Sequence, residues 1–376
     1  VINAQRRLSN PFCLVVLALT ALAGCGGRPS TRPAVEPDVA RANIAALIPA
    51  NVPNRAAWAV DVFTAFESLE IAPTNENICA VVAVTQQEST FQAAPVVPGL
   101  AGIARKEIDT RAERYHIPKL VVRTALELSS PTGKSYRERI EAVRTENELS
   151  DIFEDFIGIV PLGKTLFADW NPVRTGGPMQ VSIAYAEEHA GRKRYPYPIA
   201  TDIRDEVFTR RGGMYFGIAH LLDYPAPYDD MLHRFADFNA GHYASRNAAF
   251  QNAVAKLSKT PLALDGDLIL HGDRASDPSK TELATRSLTE RLKLNEATIR
   301  RDLESSTESD FENSRTYKRV FELATESGMR SLPRAVVPQI RLQSAKITRK
   351  LTTAWFANRV NERYRQCLSR AAKRPS

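Results

Sequence analysis

Ile78-Cys79-Ala80-Val81-Val82-Ala83-Val84-Thr85-Gln86-Gln87-Glu88-Ser89-Thr90-Phe91 is the stretch whose reading decides the fold. Ile78, Val81, Thr85 and Glu88 are spaced three, four and three residues apart, so a helix stacks them on one face. That face is apolar. The spacing predicts a helix over 75–88 with Glu88 at its C-terminal end, turned toward the core side. A carboxylate there is desolvated and meets the negative pole of the helix dipole. Both effects raise its pKa, as a general acid near neutral pH requires. A carboxylate bonded to a local Arg or N–H group is the plainer alternative.

Outward from this stretch, helical periodicity or good helix formers cover 117–128, 136–156, 181–189, 213–222, 231–238, 247–257, 280–303, 314–327 and 339–369. Breaks fall at Pro- or Gly-rich points such as 95–99, 172–178 and 264–272. No alternating run of strand length stands out, and there is no internal repeat. The expected class is mostly α. The 376 residues are 43% hydrophobic and 25% charged, with 23 Pro and 18 Gly. That is a globular composition, neither collagenous nor disordered. Four Cys are too few for a disulfide scaffold. A polytopic membrane protein is excluded, because only one long apolar stretch exists and it lies at the extreme N-terminus.

That stretch reads as a signal peptide over 1–24. Arg6 and Arg7 form a basic block, 11–23 is almost entirely apolar, and Leu22-Ala23-Gly24-Cys25 follows. This end resembles the lipobox of bacterial lipoproteins. The resemblance implies acylation of Cys25, with palmitate among the acyl groups, and removal of everything before it. Gly26 in place of Asp implies sorting to the outer membrane, with the chain lipid-anchored and facing the periplasm. Residues 25–54 then read as the lipidated Cys and a Pro-rich tether, with Pro29, Pro33 and Pro37.

Charge is uneven along the chain. The net charge is +7, and loss of Arg6 and Arg7 leaves +5. Residues 331–376 hold eleven Lys and Arg against the single acid Glu362. A solvated basic helix and a footprint on an anionic polymer or lipid surface both explain such a tail. Nucleic acid is not expected as a partner of an exported chain.

Several signals point away from other chemistries. Gly158-Ile159-Val160-Pro161-Leu162-Gly163-Lys164-Thr165 fits the P-loop pattern letter for letter. It lacks a preceding buried strand, because 149–157 is acidic and helical, and its loop is filled with bulky residues. No nucleotide is expected. The six His show no ligand spacing for zinc, so no metal and no other cofactor is expected. Cys79 and Cys367 remain after processing. They either pair in an oxidising compartment or stay as buried thiols.

Glu88-Ser89-x-Phe91 resembles the catalytic signature of the lytic transglycosylases of the lysozyme superfamily. Two further blocks follow in that family's order. Gly177-Pro178-Met179-Gln180 is similar to its Gly-Leu-Met-Gln block, and 235–241, ending Phe238-Asn239-Ala240-Gly241, to its Ala-Tyr-Asn-Ala-Gly block. The 213–222 segment resembles the packing helix between them. The whole chain also resembles, more loosely, the YaiW-like outer-membrane lipoproteins. The first resemblance implies a lysozyme-like helical domain over 55–260, with a helical insertion at about 98–173 and a basic helical C-terminal region over 261–376. It implies peptidoglycan glycan strands as the partner and Glu88 as the single catalytic acid/base. Ser89, Met179, Gln180, Phe238 and Asn239 are the implied substrate-binding residues, with Met179 packed beneath the cleft. Ser89 is expected to hold the loop after the helix, Gln180 to begin a helix, and Gly241 to stop one.

The chain departs from that pattern in three ways. The Met-Gln block lies 91 residues after Glu88 rather than a few tens, Pro178 replaces Leu, and Phe238 replaces Tyr. Two functional classes therefore stand side by side. One is a peptidoglycan-cleaving enzyme; the other is an inactive envelope lipoprotein that binds peptidoglycan or peptides.

Overall fold

The computed structural model describes residues 36–159, 170–342 and 351–374. The signal segment, Cys25, most of the P-loop-like stretch and Lys346, Arg349 and Lys350 of the basic tail lie outside the described residues. Architecture is mostly helical, as the periodicity predicts. No described helix is long and apolar enough to cross a membrane.

The chain begins with α1 (Pro37–Leu47), α2 (Arg55–Ser68) and α3 (Asn75–Glu88). The first of these falls inside the stretch read as tether. Pro37 occupies its first turn, where a missing N–H costs nothing, and Ala40, Ile44 and Leu47 are buried four and three residues apart. That pattern holds 37–47 against the core as a packed helix rather than a tether. α3 has the predicted limits. Thr74 caps it by accepting from the Asn77 amide at 3.2 Å.

Next come α4 (Leu100–Arg114), α5 (Lys119–Leu126), α6 (Tyr136–Ala142) and α7 (Glu146–Gly158). The single helix expected over 136–156 is two helices. Thr145 and Glu148 form a capping box that starts α7 afresh, with Val143 extended before it. α7 is the helix expected ahead of the P-loop-like stretch, where a nucleotide site needs a strand.

A short hairpin follows, pairing β1 (Thr175–Gly176) with β2 (Val181–Ser182). It leads into α8 (Ile183–Arg192), α9 (Ile203–Phe208), α10 (Arg210–Leu222), α11 (Met231–Ala240) and α12 (Ala244–Ser258). Then come α13 (Lys280–Arg286), α14 (Thr289–Leu292), α15 (Glu296–Glu304) and α16 (Arg315–Glu326). The helix expected over 280–303 is thus three pieces. Lys293 takes a left-handed backbone at φ 54° and Asn295 caps the next helix. Finally β3 (Arg341–Leu342) pairs β4 (Leu351–Thr352), and α17 (Thr353–Ala372) closes the chain. The helix expected from 339 therefore starts at 353, where Thr352 accepts from the Trp355 amide at 3.1 Å.

Two apolar cores form among the described residues. The first gathers α1, α2, α3 and α4 with the hairpin, α10, α11 and α17. The second gathers α12 to α16 around Phe250, Phe311 and Phe321. α17 thus packs in the first core, although it is remote in sequence. Cys367 of α17 forms a disulfide with Cys79 of α3, across 288 residues. Arg246, fully buried on α12, ties the second core in. Its guanidinium donates to the Ser306 carbonyl at 2.7 Å and the Glu308 carbonyl at 3.0 Å, and it sits 4.2 Å from the Tyr243 ring centroid.

Candidate functional site

α3 supplies the first wall. Every residue from Ile78 to Thr85 is buried, so the helix is apolar all round rather than along one stripe. Glu88, at its last turn, is partly exposed. Ser89 ends the helix. Its hydroxyl donates to the Thr85 carbonyl at 3.2 Å and accepts from the Gln92 amide at 3.3 Å, so it holds the following loop. That loop is strained. Thr90 and Phe91 are both left-handed, at φ 53° and 62°, conformations that cost L-residues about 1–3 kcal/mol each. The Phe91 ring meets Trp58 edge-on at 5.3 Å, an anchor that sustains the turn.

The second wall is the hairpin turn Gly177-Pro178-Met179-Gln180. Gln180 does not begin a helix. It is the last residue of the four-residue turn, at φ 51°, and its amide donates to the Gly177 carbonyl at 3.1 Å. The helix starts at Ile183, because Ser182 caps it by accepting from the Tyr185 amide at 3.3 Å. The Gln180 side chain is folded onto its own turn. Its amide nitrogen donates to the Gly177 carbonyl at 3.2 Å, and its carbonyl oxygen accepts from the Thr175 hydroxyl at 3.4 Å.

α10 is the floor that both walls touch. Its glycines permit the approach. A Cβ on Gly217 would lie 2.5 Å from Met179 Cβ, and one on Gly213 would overlap the Pro178 ring. Met179 is completely buried there. One turn earlier on α10, the Met214 sulfur lies 3.8 Å from the Thr85 hydroxyl, whose proton goes to the Val81 carbonyl at 2.8 Å. Thr85 lies one turn before Glu88, and Met179 precedes Gln180. Glu88 and Gln180 are therefore both carried by segments that rest on adjacent turns of one helix.

The third block behaves differently. α11 ends at Ala240, and Gly241 at φ 105° stops it as expected. Phe238 is 9% exposed, and its ring packs on His220 at 5.1 Å. The Asn239 carbonyl oxygen accepts from the Thr353 hydroxyl at 2.9 Å, which joins the end of α11 to the start of α17.

Beside this block lies a cluster that sequence reasoning did not foresee. His242 is stacked between His220 at 4.5 Å and Tyr224 at 4.1 Å, and Tyr185 adjoins His220 at 4.6 Å. Burial pushes the His220 imidazole down to about 3, with the neighbouring His242 acting the same way. Burial also lowers His242 and His189. Asp237, fully buried, accepts from the Ser245 amide at 2.7 Å, the Tyr243 amide at 3.0 Å and the Tyr224 hydroxyl at 3.1 Å. Burial pushes its carboxyl up to about 7 against the pull of these donors. Its role is to satisfy the first amides of α12. Only the Tyr185–His189 spacing of four residues hinted at this cluster; the rest is tertiary.

Two acids near the quoted blocks are paired with arginines on their own helices. Glu107 pairs with Arg111 at 2.6 Å and Glu188 with Arg192 at 3.4 Å. Among the described residues, no group of three or more His, Cys, Asp or Glu could hold a metal ion.

Comparison with known proteins gives the family. The chain is 54% identical over 363 residues to the "Uncharacterized protein YaiW" of Escherichia coli (strain K12), covering 96% of this chain and 98% of that one. No solved structure matches it. Residues 51–370 match the family described as protein of unknown function (DUF1615), and the chain belongs to that family.

Proposed function

We propose that the chain is an outer-membrane lipoprotein that cleaves the β-1,4 bond between N-acetylmuramic acid and N-acetylglucosamine in peptidoglycan, on a variant of the lysozyme-like fold. Glu88 is the single acid/base. It protonates the glycosidic oxygen, then takes the proton of the muramyl 6-hydroxyl as that oxygen closes onto C1. The product is a 1,6-anhydro sugar, and no second carboxylate takes part. Gln180, on turning from its Gly177 and Thr175 bonds, and Asn239, through its amide nitrogen, meet the N-acetyl and hydroxyl groups of the glycan, and lipid on Cys25 anchors the chain.

The observation that carries this reading is the shared footing on α10. The Thr85–Met214 and Met179–Gly217 contacts sit one turn apart, so the acid-bearing helix and the Met-Gln turn converge from positions far apart in sequence. Strained non-Gly backbone on both sides, at Thr90-Phe91 and at Gln180, adds weight, since such strain clusters at functional sites.

Digestion of purified sacculi, with products read by mass spectrometry, tests it. The expected result is 1,6-anhydro muropeptides from the wild type and a loss of about 10²–10⁴-fold with Glu88→Gln. Equal activity in both proteins sinks the acid assignment. The absence of products from either favours the second reading, a non-catalytic peptidoglycan- or peptide-binding lipoprotein. The packed Phe238 ring, in place of a phenol at the site, speaks for that alternative.

A further inference from the structure

The four helices α4 to α7, with Trp170 and 172–175, line a half-open apolar cavity of about 660 Å³. Its walls include Ile103, Ile108, Val122, Leu126, Leu149 and Phe153. Polar groups are few, among them Glu107 and Arg111, which pair with each other at 2.6 Å. Arg111 also donates to the Trp170 carbonyl, and the Trp170 ring stacks on Tyr115 at 4.6 Å. Half-exposed aromatics with polar edges suit a boundary between an apolar interior and water.

α5 shows that this space is built to be filled. Val121, Val122, Ala125 and Leu126 recur at helical spacing and all line the cavity, yet no residue of α5 is buried. An eight-residue helix has little stability of its own and depends on what its apolar face covers. α4 buries Leu100, Ala104 and Ala112, and α6 buries Tyr136 and Ile140. The wall without a buried residue is the one that faces the empty side.

Size selects the occupant. One turn of a partner helix, about 10–12 Å wide and 5.4 Å long, takes up roughly 400–600 Å³. The cavity has room for little more than one such turn, so a docked helix of several turns would lie mostly outside it. A flexible hydrocarbon chain of about 16 carbons, at about 30 Å³ per methylene (close to the volume share of a liquid water), takes up about 480 Å³. It fits with its polar end at the mouth. Ligand sites of this volume and apolarity are the norm for small molecules.

We infer that the cavity between α4 and α7 binds a single long acyl chain, from a free fatty acid or a phospholipid. This is separate from the proposed glycan chemistry and does not depend on it.

The test uses the purified, delipidated full chain and the fluorescent fatty acid cis-parinaric acid, displaced by palmitate, octanoate and palmitoyl-lysophosphatidylglycerol. Palmitate is expected to displace the probe at least about tenfold more strongly than octanoate, because each buried methylene adds affinity. Val122→Glu and Ala125→Trp, on the unburied helix, are expected to weaken binding by about tenfold or more. Leu120→Glu, 72% exposed and outside the cavity lining, is expected to leave it unchanged. Preference for the lysophospholipid assigns the chain to a phospholipid and preference for palmitate to a fatty acid; either supports the site if the two cavity variants lose it. Thermal melting identifies any variant that fails to fold, and either cavity variant alone decides. Absence of probe binding, or binding unchanged in a folded Val122→Glu or Ala125→Trp protein, overturns the inference.

Discussion

α3 and α5 are both rich in aliphatic residues, yet their surroundings are opposite. α3 is buried on all sides from Ile78 to Thr85, pressed between α10 and α17 and bonded to α17 through Cys79–Cys367. α5 buries nothing. The contrast teaches that composition makes a helix, but neighbours make it rigid. A side chain carried on α3 is held in place by a close-packed core, where even a small shift forces overlaps. A side chain carried on α5 can adjust to what it meets. The first suits an acid that must be positioned for proton transfer, the second a wall that accommodates a variable hydrocarbon.

Hydrogen exchange gives the largest expected difference between the two. Amides of α3 are expected to exchange only through global unfolding and those of α5 through local opening, at rates at least about 10³-fold faster. Similar protection in the two helices breaks the comparison.

The next effect is acid sensitivity on the α10 side of α3. His220 is pushed down to about 3 in the folded chain from its ordinary 6.5. Above pH 6.5 it is neutral in both states, and its contribution is fully present. As pH falls from 6.5 toward 3, the unfolded chain takes up a proton that the folded chain refuses, so stability drops, by on the order of 4 kcal/mol at the lower end. Asp237, raised to about 7, works in the opposite direction, but it is common to wild type and variant. His220→Gln keeps a donor for the Phe238 carbonyl, which the ring nitrogen meets at 3.2 Å. Its acid unfolding, followed by circular dichroism, is expected to begin at lower pH than that of the wild type. An unchanged midpoint refutes this assignment.

Removing the brace on the other side of α3 comes third. Cys79→Ala with Cys367→Ala opens a link across 288 residues and is expected to cost about 2–5 kcal/mol in denaturant unfolding. Protection of α3 and α17 should fall together while α13 to α16, in the second core, keep theirs. A uniform loss across both cores refutes the picture of two separately packed regions.

The smallest effect sharpens the comparison most directly. Val81→Ala on α3 is expected to cost about 2 kcal/mol, because buried methyl groups leave a cavity behind them. The same change at Val122 on α5 should cost under about 0.5 kcal/mol without ligand. Equal costs at the two positions mean that α5 is packed after all.

Much was legible in the chain before any coordinates. The limits of α3 followed from its spacing, and Gly241 as a stop followed from the backbone freedom of glycine. The breaks inside 136–156 and 280–303 were also written locally, in Thr145 with Glu148 and in Asn295, but continuous helix formers hid them. α1 was masked by the Pro residues before it. The Met179 turn was harder. Gly177 and Pro178 marked a break, but no local signal showed that Gln180 adopts positive φ against α10.

What the sequence determined alone is what nearest neighbours decide: mostly helical class, where caps start α3 and glycine ends α11, and which short blocks carry glutamate, glutamine and asparagine. What only the tertiary structure decided is who meets whom. The pairing of Cys79 with Cys367 was left open by the sequence and closed by the docking of α17 on α3. The stacking of His220 with His242, the hold of Thr353 on Asn239 and the empty space beside α5 likewise depend on segments distant along the chain. Local propensity acts over a few residues through backbone sterics and capping bonds. Burial is a property of the whole packed chain, so no window of sequence contains it.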